Sequence, residues 1–364
     1  MNQDRPIDKT TVYAASDEVI SYTGGLFMAY GVPPDDAETT ARCLVRADLR
    51  GVESHGITRM AGYLDRLERG LVKAKPNLQV EQVTAAAARL DGDDGLGFVV
   101  ATRATGEAVR MASDIGIGIV GVRRSTHFGM AANYVLQAVD AGYVALVFTN
   151  ASRAMPPWGG REALLGTSPI AAGAPSGSEH PFVLDMSPAV AARGKIRRAL
   201  KLGHSIPAGY ALDAQGRETT DPAAALAGGV VLPAAGPKGS GLALLMDVLG
   251  GVLTGAAFGG DVGDQYKDYD RPQNVGHTFV AVRPDLFVSD FDDRMATLLT
   301  RVTGVEPAEG FDEILTPGEP EQRTEDQRLS TGIPYVAEDL RPLQDLAETL
   351  GVPPLRTSPT PLDP

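Results

Sequence analysis

Beyond Lys73-Ala-Lys-Pro-Asn77 the chain alternates short β-branched runs with stretches of helical periodicity, and that alternation leaves few folds open to it. Gly116-Ile-Gly-Ile-Val-Gly-Val122 and Tyr143–Thr149 are apolar almost throughout, as strands covered on both faces must be. Met130–Ala141, between them, has a helical pattern, so the three read as a β-α-β unit. Leu78–Thr84 and Ala87–Asp91 read as a strand pair followed by a helix from about 99 to 115. Ile170–Ala174, Phe182–Asp185 and Val275–Val282 are further strand candidates. Ala189–Lys201, Gly239–Gly255, Ser289–Val302 and Glu319–Ser330 are helix candidates. The pattern defines an α/β region with a largely buried sheet. Upstream, Asp17–Tyr30, Asp35–Arg50 and a stretch after Ser54 are all helical in pattern. Residues 1–12 are polar and read as loose, Tyr335–Leu350 reads as a terminal helix, and the proline-rich 353–364 as a flexible tail.

Chemistry concentrates in Asp48-Leu-Arg-Gly-Val-Glu-Ser-His-Gly-Ile-Thr-Arg59. Ile57, Met60, Ala61, Leu64, Leu67 and Leu71 recur at helical steps, and Ser54 is suited to cap such a helix because its hydroxyl can accept a free backbone N–H. His55 then falls in the first turn with Arg59 four residues on, on the same face. The positive end of the helix dipole and Arg59 both disfavour an imidazolium. A neutral histidine beside a fixed cation suits a substrate with a carboxylate next to a carbonyl. On spacing alone, His55, Thr58, Arg59, Asp65, Arg66 and Arg69 fit an ordinary solvated face equally well. Asp185, at the end of a strand, is a candidate to orient the His55 ring.

Other chemistries find little support. With 46 acidic against 33 basic residues the net charge is −13, opposite to what a nucleic-acid surface needs. The five histidines are dispersed without metal-ligand spacing, so no metal site is expected. Cys43 is the only cysteine and the Met-Asn-Gln-Asp-Arg-Pro start lacks signal-peptide order, which together suggest the cytoplasm. The apolar Gly241–Gly260 run contains Asp247 and reads as a buried core helix rather than a membrane span. Ser54 and His55 are adjacent, which gives poor geometry for a hydrolase triad, and no Gly-x-Ser-x-Gly elbow exists. No Gly-x-Gly-x-x-Gly follows a strand: Gly92-Asp-Asp-Gly95-Leu-Gly97 has the wrong order, and Asp93 and Asp94 would repel a pyrophosphate. Gly236-Pro-Lys-Gly239-Ser-Gly241 opens a helix and offers N–H groups plus Lys238 to an anion, or else marks a helix start packed closely on a neighbour. Thr126-His-Phe-Gly-Met-Ala131 lies at a strand-to-helix turn, a common ligand position in α/β proteins.

These residues resemble the malate/L-lactate dehydrogenase family whose NAD(P)-binding fold is not a Rossmann fold. The family includes ureidoglycolate, sulfolactate and 2,3-diketogulonate oxidoreductases and cyclic imino-acid reductases. The likeness spans about 17–350. It is carried by Ala47-Asp-Leu-Arg-Gly-Val-Glu-Ser-His-Gly56, Thr126-His-Phe-Gly129, Pro157-Trp-Gly-Gly-Arg-Glu162, Leu165-Gly-Thr-Ser-Pro169 and Leu184-Asp-Met186. Ala192-Arg-Gly-Lys195, Thr219-Thr-Asp-Pro222, Gly236-Pro-Lys-Gly-Ser-Gly-Leu242 and Asn274-Val-Gly-His277 extend it. The resemblance implies a mixed-sheet cofactor- and substrate-binding region over 74–333. It also implies a helical N-terminal domain, 1–73, completed by 334–352 packing back on it.

The implied activity is NAD- or NADP-dependent reduction of a small 2-oxo acid, or alternatively of a cyclic imino acid, usually by a homodimer. A nucleotide-binding protein without turnover is the reading from another class. Ser54, His55 and Asp185 would form a proton relay, with Arg59 and Thr167 on the substrate. The cofactor would meet His127, Phe128, Gly129, Met130, Ala131, Leu184, Met186, Lys238, Gly239, Pro317, Gly318, Glu319 and Arg323. Three departures stand out: Ser168 where Asn is usual, Arg124-Ser-Thr126 in place of Asn-Ser-Asn, and a poorly matched glycine-rich Asp261–Tyr266.

Overall fold

The computed structural model describes residues 11–178 and 180–362. Its centre is a seven-stranded sheet in the order Gln79–Gln82, Ala87–Asp91, Ile117–Ser125, Val275–Val282, Val144–Thr149, Ile170–Ala174, Phe182–Met186. The expected β-α-β unit is therefore opened. Val275–Val282 inserts between the strands 117–125 and 144–149 and runs antiparallel to both, through Phe279↔Val120 and Phe279↔Val147. The two outer strands stay parallel to each other but are not neighbours, and the sheet is mixed rather than doubly wound. Ala87–Asp91 pairs in parallel with 117–125, and the pair 79–82/87–91 is antiparallel.

Helices Gly97–Ile115 and Ala132–Asp140 cover one face, burying Val100, Ala101, Met111, Tyr134 and Val135 against Val120, Val122 and Phe279. Their start sites fit the sequence pattern to within two residues. A second core joins helices Ser16–Ala29, Pro34–Leu49 and Met60–Glu68 to Ile333, Tyr335, Leu340 and Leu343. A third, smaller core (Met155, Leu165, Ile196, Ala211, Val231, Ala243) anchors helix Arg193–Lys201.

Several expectations are corrected. Residues 1–10 lie outside those described, but Thr11–Ala14 is a strand, paired antiparallel with Ile333–Val336, so the terminal helix begins at Ala337 rather than Tyr335. Each short strand lacks a strong pattern alone and exists because the other satisfies its backbone. The tail is not loose over its described part: Leu355 is buried, the Tyr13 and Ser358 backbones exchange two 2.8 Å hydrogen bonds, and Arg356 pairs with Glu18. The Gly239–Gly255 helix is an α-helix over Pro237–Asp247 that widens into a π turn over Val248–Val252. It is not a core helix either, since Leu244, Leu245, Val248, Val252 and Leu253 are exposed. Among the described residues no helix is long and apolar enough to cross a membrane.

Candidate active site

The segment carrying Ser54 and His55 is shaped by Asp48, which is fully buried at the end of Pro34–Leu49. Its Oδ2 accepts the Ile57 N–H at 3.0 Å and the Tyr335 hydroxyl at 2.9 Å. A carboxylate in place of a helical carbonyl takes the Ile57 amide out of an α-helical ladder. Glu53–His55 and Ile57–Arg59 are accordingly two separate 3₁₀ turns, and the α-helix begins only at Met60. Gly56 is required there, because a Cβ would lie 1.6 Å from Asp48 Oδ1. Burial pushes the Asp48 carboxyl up to about 7. Arg328 Nη2 holds Glu53 at 2.8 Å from the other side. Ser54 is thus not a helix cap. Its Oγ lies 2.9 Å from His55 Nδ1 instead.

His55 stacks near His127, with ring centroids 5.7 Å apart and planes at 19°. Burial lowers His55 to about 4, and the Arg59 charge adds to it. The expected helix dipole plays no part, because no α-helix starts at His55. His127 is held well below the usual imidazole range by burial and then by Arg59. Its Nδ1 accepts the Gly129 N–H at 3.2 Å and lies 2.7 Å from the Tyr63 hydroxyl, which leaves the proton on Nε2. Both rings are neutral near pH 7. Arg59 donates to the Ser54 carbonyl (3.3 Å) and Gln265 Oε1 (3.1 Å) and lies 5.4 Å from the Tyr266 ring centre. Its buried Nε has no partner among the described residues. The unmatched Asp261–Tyr266 segment therefore reaches the site through Gln265 and Tyr266.

Asp185 does not sit on His55. Its Oδ2 accepts the Ala132 N–H at 2.8 Å, at the start of helix Ala132–Asp140. One side of the carboxyl faces the cleft, but the surrounding protein crowds it and pushes it up to about 6, with the Ala132 and Ala131 amides pulling the other way. The relay expected among Ser54, His55 and Asp185 is present only as its first pair.

These groups line one cavity of about 1060 Å³, at the upper end of the range for small-molecule and cofactor sites. Of the predicted residues, Ser54, His55, Arg59 and Thr167 are in its wall, as are the segments 127–131, 183–185 and 315–318. Met186, Lys238, Gly239, Glu319 and Arg323 are not. Gly239 is a packing position: a Cβ there would lie 2.4 Å from the Ala234 carbonyl oxygen. Lys238 is exposed at the same helix start, outside the wall. Arg323 is engaged by Glu313 and Glu319, and Glu319 also caps Thr316. Met186, next along the strand after Asp185, points away from the cleft because side chains alternate along a strand.

Arg50, Asn150, Gln265, Tyr266, Arg193 and Arg197 line the wall without having been singled out, though Arg50 and Arg193 stand inside family motifs. Arg124, one of the departures, turns to Asp91, Asp93 and Asp94. The acidic pair Asp93-Asp94 therefore serves a structural clamp, not an anion site. Ser168 is buried beside Gly166. Among the described residues no group of three or more His, Cys, Asp or Glu is placed to hold a metal ion.

The donor set fits a nicotinamide dinucleotide. The cavity is large enough, its wall includes the segment 127–131, and both Gly129 (φ +78°) and Gly318 (φ +91°) line it in conformations side chains rarely adopt. A cleft of this kind, with two neutral imidazoles and an incompletely paired guanidinium under a mixed sheet, defines an oxidoreductase of small acids.

Comparison with known proteins agrees. The sequence model described as malate/L-lactate dehydrogenase matches residues 14–344, and the chain belongs to that family. The L-sulfolactate dehydrogenase of Methanocaldococcus jannaschii is 41% identical over 304 residues, covering 82% of this chain and 86% of that protein. The (2R)-3-sulfolactate dehydrogenase (NADP(+)) of Chromohalobacter salexigens is 40% identical over 270 residues, covering 74% and 80%. The solved malate dehydrogenase of Pyrococcus horikoshii superimposes with a TM-score of 0.89 at 33% identity, over 98% of this chain and all of that one.

Proposed function

We propose that the protein transfers a hydride between a nicotinamide dinucleotide and C2 of a small 2-oxo acid, giving the 2-hydroxy acid, as a cytoplasmic homodimer. The observation that carries this is Arg59: a guanidinium with an unpartnered buried Nε beside two neutral imidazoles in one cleft. Arg59 pairs with the substrate carboxylate, for which a planar fork is suited. Thr167 faces the same space and steadies the acid. A bound nicotinamide supplies the hydride in reduction and accepts it in oxidation.

His55 handles the proton at the C2 oxygen. In oxidation its free Nε2 takes the hydroxyl proton; in reduction the same proton goes back to the oxygen. Burial and Arg59 disfavour imidazolium, so a proton taken up is held weakly and returned readily. Ser54 steadies the ring through Nδ1. His127 stands beside it with Nε2–H as donor and turns toward the same oxygen, while Asp185 positions the 131–132 backbone against the cofactor. The names of the relatives, sulfolactate and malate dehydrogenases, support an oxo acid with a second acidic group.

The test is a panel of oxaloacetate, 3-sulfopyruvate, pyruvate and a cyclic imino acid, followed at 340 nm with NADH and with NADPH. Turnover of a 2-oxo acid is expected, with Arg59→Lys raising its KM about 10- to 100-fold, as for loss of a charge-assisted fork. Reduction of the imino acid alone supports the cyclic imine reading instead. Cofactor binding without turnover across the panel supports the silent nucleotide-binding reading.

A further inference from the structure

We propose that Arg193 and Arg197, on the helix Arg193–Lys201, grip a phosphate of the dinucleotide. This rests on the reading just given and adds the site for the cofactor's charge. Four cations line the cavity: Arg50, Arg59, Arg193 and Arg197. Both terminal nitrogens of Arg50 are committed, to Glu325 (2.7 Å), Gln322 (2.9 Å) and the Gly318 carbonyl (3.2 Å), which leaves only its Nε unpartnered. Arg59 belongs to the His55 end. Lys238, the cation that the sequence pattern offers to an anion, stands outside the wall.

The remaining two belong to a helix unlike any other among the described residues. It reads Arg-Gly-Lys-Ile-Arg-Arg-Ala-Leu-Lys, five cations without one carboxylate, held down by a single buried side chain, Ile196. Many basic residues elsewhere in the described chain pair with a carboxylate, as Arg124, Arg217 and Arg323 do, whereas among the described residues none of these five side chains has an ion-pair or hydrogen-bond partner. Unpaired cations repel one another, and five at this density gain nothing for the fold. Arg193 and Arg197 are four residues apart and so share a face. Arg193 is half-buried in the cavity wall at the first turn, where backbone N–H groups add to the attraction for an anion, and a Cβ at Gly194 would meet nothing within 4 Å. A diphosphate bridge and a ribose 2′-phosphate carry the same chemistry, and either completes the pair of guanidinium forks.

The experiment titrates NADH and NADPH by cofactor fluorescence into the full chain and into Arg193→Gln, Arg197→Gln and the double variant. Glutamine keeps the side-chain stem, and thermal melts check that the fold is retained. The double variant is expected to weaken binding about 10- to 100-fold and to flatten its dependence on salt. Equal weakening for both nucleotides assigns the arginines to the diphosphate; weakening for NADPH alone assigns them to the 2′-phosphate. Unchanged affinity for both, with the parent protein binding normally, overturns the inference, as does a rise confined to the oxo-acid KM. If the parent binds neither nucleotide, the proposed function falls and this assignment with it.

Discussion

His55 enters the cleft as a neutral ring because burial removes the water an imidazolium needs and Arg59 adds a like charge. In the direction of hydroxy-acid oxidation the active form is the neutral base. A depressed pKa therefore extends activity downward: kcat/KM should stay level from pH 7 through the ordinary imidazole range and fall only as His55 protonates near 4. Asp185, pushed up to about 6, adds a second titration in the same window, so the profile should be taken in Asp185→Asn as well. A limb near 6 that persists both in Asp185→Asn and in Asp48→Asn, whose carboxyl burial raises to about 7, would remove His55 from the base role. His55→Ala should lower kcat by about 10²–10⁴-fold while still binding cofactor, and near-parental turnover would show that the ring only lines the wall.

At the scale of elements, the site depends on a loop fastened by an arginine that sequence periodicity places on a solvated helix face. Arg66, in Met60–Glu68, is 1% exposed and reaches no carboxylate. Its guanidinium donates to the carbonyls of Asp268 (2.8 Å), Arg271 (3.1 Å) and Gln265 (3.4 Å), tying down 264–271. That loop presents Gln265 to Arg59 and Tyr266 to the cavity. Arg66→Met removes the donors and leaves buried carbonyls unpaired, a cost of about 1–3 kcal/mol. The expected result is a lower Tm and a KM for the oxo acid raised about tenfold, with cofactor affinity changed less than twofold; steady-state kinetics with both substrates varied would show it. An unchanged oxo-acid KM would mean that the loop holds its place without Arg66.

For the whole molecule, the stretch 237–258 leaves Leu244, Leu245, Val248, Val252, Leu253 and Phe258 open along one run of chain. A run of exposed large apolar side chains of this kind is what a subunit interface covers. Its glycines have a structural cause: a Cβ at Gly250 would lie 2.7 Å from the Asn150 backbone nitrogen, so the π turn presses on the sheet while Val248 and Val252 stay exposed. The proposed homodimer should bury this face. Leu244→Asp with Leu253→Asp should turn a dimer into monomers in analytical ultracentrifugation at micromolar concentration, and a parent protein that sediments as a monomer would reject the interface.

Residue type and local spacing were enough to find the chemistry. The serine, histidine and arginine of the 54–59 segment, the 127–131 turn and the strand ending at Asp185 are local patterns, and all reach one cavity. Apolar runs likewise marked the inner strands of the central sheet, since burial on both faces leaves its trace in composition, while the edge strand Gln79–Gln82 is polar and largely exposed. What local pattern does not contain is which distant group satisfies a given backbone or charge. Asp48 takes the Ile57 amide and Tyr335, 287 positions away, and converts an expected helix start into two 3₁₀ turns. Val275–Val282 enters between two strands that sequence order would make neighbours, because its hydrogen-bond partners lie about 150 positions upstream. Thr11–Ala14 is a strand through Ile333–Val336 and the Ser358 backbone, and Asp185 meets Ala132 rather than His55. A basic helix and a solvated one read alike until the surrounding fold shows that the carboxylates are elsewhere and that two of the arginines face a cavity. Long-range pairing decides these points, and its energetics depend on contacts that no window of neighbouring residues contains.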